Sequence, residues 1–375
     1  MSARAWWLAV EPLDDAVAWA LTCADGSAVT GPVDAGLWTG LGGIAESAAR
    51  ARPTGAGDLW SGPLTAPDEE RELAVRVGAA LLPEALRAAL LAGERDRPET
   101  VTVAARGWLA AVPWDGLALD AEGTRLVERA RVLGGLPATV HVGRARRPDL
   151  AADGPALRVV DPGPSSPTEG DGASWQLVYP LGRPAEWNDV LRDDEFVEPA
   201  DGDGLGVAEF GALLHHGSPG RLLYFGHAVS GTVAAPAAAA LVLTDDRGDA
   251  RLFTAFDWLA DPTGFPAPPR VAVIGCGSDD SGIAEQSGLP IAAINAGAGL
   301  VTATRWVLPL DPRPDLRPAT ALALAVDRAH AAPDPVGALR RWQLDRLDRW
   351  RAHGELLDTP LMWASLVTYL AAGRP

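Results

Sequence analysis

Two residues of this 375-residue chain have the types and settings of a covalent catalyst: His227 and Cys276. Each follows an apolar run and a glycine, in Leu222-Leu223-Tyr224-Phe225-Gly226-His227 and in Val271-Ala272-Val273-Ile274-Gly275-Cys276. A thiol attacks as its thiolate, so a cysteine nucleophile needs a base that can take its proton, and imidazole does this near neutral pH. Gly275 and Gly277 would let a substrate backbone approach closely and leave the amides of Cys276 and Gly277 free to face a developing oxyanion. The amide of Ala228 is a second donor of that kind. No Asn or Asp stands in an obvious place to orient His227, so the pair reads as a dyad. A cysteine at a strand end is more often a small buried hydrophobe than a nucleophile, and a lone Gly-His is more often structural. The occurrence of both, each on a strand end, is what points to chemistry.

The elements that must position this pair can be read from periodicity. Arg221–Phe225 and Val271–Ile274 predict buried strands, and Leu157–Val160, Ala240–Leu243 and Leu300–Thr304 predict others. Helical spacing is expected over about 70–92 with a break at Pro83, over Val207–His216, from Leu289 to Ala298, and over about 319–331 and 335–352. Strands alternating with helices imply an α/β fold with a parallel-rich sheet between helices, in which ligands bind outside the carboxyl ends of the strands. His227 and Cys276 would then share one rim. Near the start, apolar runs at 4–10 and 16–23 and the turn signal Ala24-Asp25-Gly26-Ser27 predict a β-hairpin region, with Ala28–Val33 as a return strand. Thr100–Ala105 and Trp108–Val112 read as short β-like runs, and Pro184–Leu191 as a helix within a Pro-, Gly- and Asp-rich stretch of surface loops.

Several of these segments, taken in order, resemble the CHAT family, relatives of caspases and separase. Ala111-Val112-Pro113-Trp114-Asp115-Gly116-Leu117, Leu157-Arg158-Val159-Val160-Asp161-Pro162, the two runs ending in His227 and Cys276, Ala240-Leu241-Val242-Leu243, Ala296-Gly297-Ala298 through Arg305-Trp306, and Pro360-Leu361-Met362-Trp363-Ala364 each match a family segment. The separation of 49 residues (276 − 227) is near the roughly 50 between His and Cys in caspase-like chains. The resemblance covers about residue 70 to the end. It implies a caspase-like fold, a parallel-rich sheet flanked by helices, for that stretch, and peptide-bond cleavage by His227 and Cys276. The N-terminal β-hairpin region follows instead from the turn signal Ala24-Asp25-Gly26-Ser27. The chain departs from the family pattern in having Ala228 after the histidine and Gly275 before the cysteine, both small-for-small. Residues 1–70 are expected to form a β-rich region packed on a catalytic domain of residues 71–375. Relatives often carry gating repeats that are not seen here, so a regulator is expected to act in trans or through the first 70 residues. A role in bacterial defence or regulated cell death is a further implication of the resemblance.

Asp279, Asp280 and Glu285 follow the nucleophile closely and could pair with an Arg or Lys side chain before the scissile bond. The plainer reading is a solvated acidic loop in an acidic protein. Trp306 is a candidate wall of the substrate groove.

Composition narrows the alternatives. The formal net charge is −17 and every basic residue is Arg, which disfavours nucleic acid and anionic membranes as partners. A protein or peptide substrate with basic side chains fits better. There are only two cysteines, Cys23 and Cys276, too few for a disulfide framework. No signal-peptide pattern or membrane-length apolar run is present, so a soluble, cytoplasmic protein is expected. No cofactor or metal is called for. Asp201-Gly202-Asp203-Gly204 opens like a calcium loop but reaches Ala212 at its twelfth position where a Glu is needed. His215-His216 lacks accompanying ligands. Asn295–Gly299 lacks the Lys-Ser/Thr of a phosphate loop, which counts against a nucleotide-binding α/β protein. The alternative to a peptidase is a catalytically silent scaffold of the same family that binds a partner.

Overall fold

A computed structural model describes residues 5–13, 17–23, 25–33, 60, 62–137, 140, 150, 154–163, 196–197, 204–231, 236–245, 247–275, 288–309, 311 and 315–371. The Pro184–Leu191 helix expected from sequence lies outside these residues, as do positions 201–203 of the Asp201-Gly202-Asp203-Gly204 run. The chain divides into two compact units. One comprises 1–135 and 336–368, the other 136–335 and 369–375.

The first unit is built on a sheet of order β3-β2-β1-β4-β5. β1 (Ala5–Pro12), β2 (Val17–Cys23) and β3 (Ala28–Val33) form an antiparallel meander, and β4 (Glu99–Ala105) and β5 (Ala130–Gly134) add in parallel. The expected turn closes at Gly26, whose φ of 82° an L side chain rarely adopts, with the Gly26 amide donating to the Cys23 carbonyl. Alternate residues Leu8, Val10, Val17, Leu21, Val101 and Val103 point to one core with the helix Pro67–Leu81 and the helix Glu84–Ala92. Pro83 separates those helices, since it cannot donate the bond that would continue the first. Pro67 at the first helical position and Asp68, Glu69 and Glu70 in the first turn suit a helix start.

Behind this core lies a buried ionic cluster. Arg125 donates to Glu70 at 2.8 Å, both side chains being nearly inaccessible. Arg351 from the helix Pro335–His353 forks onto Glu128 at 3.0 and 2.8 Å. Arg340 of the same helix donates to the carbonyls of Val127 and Glu128 at 2.8 Å each. These bonds bring the helix Pro335–His353 onto residues some two hundred positions earlier, which accounts for its inclusion in this unit.

The run Trp108–Val112 is not a strand. Residues Gly107–Ala111 form a 3₁₀ helix. The β4 strand ends where the Arg106 amide donates to the Val10 carbonyl, and Gly107, at φ 58°, turns the chain so that Leu109 plugs the core. A five-residue apolar run fits a buried turn as well as a strand.

The second unit carries a sheet of order β14-β13-β12-β8-β6-β7; the division between the units falls inside β14 (Leu366–Leu370). β6 (Ala156–Val160), β7 (Phe196–Val197), β8 (Arg221–Phe225), β12 (Arg270–Ile274) and β13 (Leu300–Thr304) pair in parallel. The strands β6, β12 and β13 are buried along their whole length, as expected of a sheet covered on both faces. The helix Pro318–Ala331 packs on β8 and β12, and the helix Leu289–Asn295 on β13. Asp327 of the former pairs with Arg158 on β6 at 3.1 Å and with Arg221 on β8 at 3.7 Å. A second, antiparallel sheet of order β11-β10-β9 comprises β9 (Ala228–Val229), β10 (Ala240–Thr244) and β11 (Ala250–Thr254). It begins one residue after His227. The expected α/β architecture, with a parallel-rich sheet, flanking helices and an N-terminal hairpin region, is the one observed.

Candidate active site

Adjacent parallel strands lead to the two candidate positions: β8 ends two residues before His227, and β12 pairs with β8. Tyr224 of β8 lies opposite Val273 of β12, and Val273 opposite Ala303 of β13. His227, Cys276 and Trp306 each come three positions after a member of that row. Two more residues of β8 and β12 remain in register, Phe225 opposite Ile274. The Gly226 amide then donates to the Ile274 carbonyl at 3.2 Å, so the strand ends stay joined up to the residue before His227.

The described chain reaches Gly275 and stops there on this side; Cys276, Gly277, Asp279, Asp280 and Glu285 lie outside the described residues. Gly275 is tightly enclosed. A Cβ built on it would lie 2.6 Å from the Gly226 carbonyl oxygen, 3.1 Å from the Ala228 Cβ and 3.4 Å from the Ala228 nitrogen. Its carbonyl accepts a hydrogen bond from the hydroxyl of Thr304, wholly buried at the end of β13. The residue before the cysteine thus touches both neighbours of the histidine and is tied to the next strand.

His227 is half-buried and Ala228 buried. Val242 of β10 donates its amide to the His227 carbonyl at 3.0 Å. In an antiparallel ladder this makes Ala228 and Leu241 a non-hydrogen-bonded pair, so the Ala228 N–H points away from β10. Beneath, the wholly buried Tyr224 sends its hydroxyl to the same carbonyl at 2.6 Å and receives the Val242 amide at 3.1 Å. Gly226 makes room for this ring: a Cβ there would lie 3.1 Å from the Tyr224 Cζ and Oη and 2.9 Å from Pro162. Trp306 is half-buried just past β13.

The sequence reading passed over Thr304 and Tyr224. Each is a buried hydroxyl-bearing residue in a mostly apolar strand, and such a hydroxyl has to find a partner. That was the available signal, but not which backbone groups it would find. Gly275, read from sequence as room for a substrate backbone, is instead closed in by the Gly226 carbonyl and Ala228; Gly277 lies outside the described residues.

Among the described residues no group of His, Cys, Asp and Glu could hold a metal ion, and no helix is long and apolar enough to cross a membrane. The model of the CHAT domain family matches residues 71–371, most of the chain. No curated protein matches it.

Proposed function

The chain belongs to the CHAT family, and from that premise we propose that it is a cysteine endopeptidase in which His227 is the base and Cys276 the nucleophile. The observation that supports this most directly is the contact of Gly275 with Gly226 and Ala228. It means that the residue before the thiol abuts the residues flanking the imidazole, at the carboxyl ends of two paired parallel strands where such sheets bind ligands. Imidazole takes the thiol proton, and the thiolate adds to the carbonyl carbon of the scissile bond. The carbonyl π pair moves to oxygen, where the amides of Ala228, Cys276 and Gly277 act as donors. As the C–N bond breaks, the imidazolium gives its proton to the departing amine, and water then hydrolyses the thioester. Asp279, Asp280 and Glu285 select a basic side chain before the scissile bond, with Trp306 along the groove.

The test is cleavage of a peptide library that varies the residue before the scissile bond, by wild type, Cys276→Ala and His227→Ala. Cleavage by wild type alone, strongest after Arg or Lys and weakened in Asp279→Asn/Asp280→Asn, is the expected result. Equal cleavage by the Cys276→Ala variant would overturn the peptidase reading. Cleavage with no preference for basic residues would overturn only the specificity. A wild type that binds a partner protein but cleaves nothing, with or without that partner, would favour the silent scaffold.

A further inference from the structure

Tyr224 makes a closed arrangement of hydrogen bonds that neither strand pairing nor core packing requires. A phenol has one proton and two lone pairs. One lone pair receives the Val242 amide at 3.1 Å, and the proton goes to the His227 carbonyl, the nearer acceptor at 2.6 Å, with the Val242 carbonyl at 3.0 Å as its other neighbour. The His227 carbonyl also receives the Val242 amide at 3.0 Å. It is therefore gripped from two directions, by a side chain rising from β8 and by the backbone of β10.

That carbonyl shares a rigid, planar peptide with the Ala228 N–H, and the two point in opposite directions. Fixing the oxygen toward Tyr224 and Val242 therefore fixes the N–H toward the other side. Gly275 lies on that side, its Cβ position 3.4 Å from the Ala228 nitrogen. From this geometry we infer that Tyr224 is a positioning residue that aims the Ala228 amide at the oxyanion. The inference rests on the peptidase reading above and adds a residue to it. Gly226 belongs to the same device, because a side chain there would meet the Tyr224 ring and hydroxyl.

The experiment separates oxyanion binding from thiolate reactivity, in a Cys23→Ser background so that Cys276 is the only thiol. Iodoacetamide alkylates the thiolate by displacing iodide and creates no oxyanion. A peptide aldehyde adds the sulfur to its carbonyl carbon, the π pair moves to oxygen, and the resulting hemithioacetal uses the oxyanion donors. A panel of acetyl-dipeptide aldehydes ending in argininal, leucinal and aspartal avoids dependence on specificity. In Tyr224→Phe the best aldehyde is expected to bind about 10- to 100-fold more weakly, by comparison with the loss of one oxyanion donor. The pH profile of alkylation is expected to stay within about twofold of wild type. Gly226→Ala, which crowds the hydroxyl without removing it, is expected to act in the same direction and serves if Tyr224→Phe does not fold. Unchanged aldehyde binding, parallel loss of both reactions, or a wild type that binds no aldehyde although its alkylation depends on His227 would each overturn the inference while leaving the dyad standing. Identical alkylation profiles for wild type and His227→Ala would instead bring down the dyad itself, and the inference with it.

Discussion

Gly275 lies against Gly226 so closely that a single methyl on the former would come 2.6 Å from the carbonyl oxygen of the latter. Both glycines come directly before a proposed catalytic residue. The ends of β8 and β12 are thus packed against each other by the absence of side chains at these two positions. Gly275→Ala must push that carbonyl or Ala228 aside. A stability loss of about 1–3 kcal/mol is expected, together with a fall in the rate of Cys276 alkylation at neutral pH. Denaturant unfolding and iodoacetamide kinetics measure the two. A variant as stable and as reactive as wild type would show that the contact positions nothing.

Thr304 holds the Gly275 carbonyl from the neighbouring strand. Thr304→Val keeps the shape and leaves that buried acceptor without its hydroxyl donor, at a cost of about 1–3 kcal/mol. Thr304→Ser, which retains the hydroxyl, should recover most of the peptidase rate lost in the valine variant. Equal rates in the two variants would remove Thr304 from the account.

In the first unit, burial pushes the Glu70 carboxyl up despite the opposing Arg125 guanidinium, and it pushes Arg125 down. Desolvation therefore outweighs attraction in this pair, as is common for buried ions. Arg125→Met would strand the Glu70 charge and cost about 3–5 kcal/mol at neutral pH. Without Arg125 the folded-state pKa of Glu70 rises further. Because a raised pKa makes the protonated folded form the stable one, the deficit should shrink as the pH falls through that value. Chemical unfolding at pH 7 and pH 5 tests the sign, and a deficit that grows at the lower pH would contradict it.

His330, on the helix Pro318–Ala331, is wholly buried with Nε2 2.9 Å from the Thr302 hydroxyl. Desolvation first, then the Arg270 and Arg221 guanidinium groups, lowers its pKa from 6.5 to about 3. A folded-state pKa below the unfolded one stabilises the protein fully above pH 6.5 and loses that contribution as the pH falls toward 3. The loss amounts to about 1.4 kcal/mol per pH unit within that window. His330→Gln should flatten this part of the stability profile relative to wild type. Parallel profiles between pH 6.5 and 4 would show that His330 takes up no differential proton.

The sequence by itself determined the strands β8 and β12, whose four-residue apolar runs Leu222–Phe225 and Val271–Ile274 each close on a glycine and carry the β-branched and aromatic residues of a strand buried on both faces. It also determined the helices that alternate with strands, the break at Pro83 and the turn at Gly26, since these follow from periodicity and from the backbone limits of proline and glycine. The choice of His227 and Cys276 as candidates needed only their types and their places at strand ends. Sequence could not say that β8 and β12 are neighbours, because strand order is a matter of which buried faces pack together, over separations of about fifty residues. Nor could it tell that Trp108–Ala111 coils into a turn, where Leu109 reaches the core only because Gly107 redirects the chain. Tertiary structure alone gave Tyr224 and Thr304 their partners. A buried hydroxyl must find an acceptor, but which carbonyl it finds depends on the spacing of adjacent strands, and here those carbonyls belong to His227 and to the residue before Cys276.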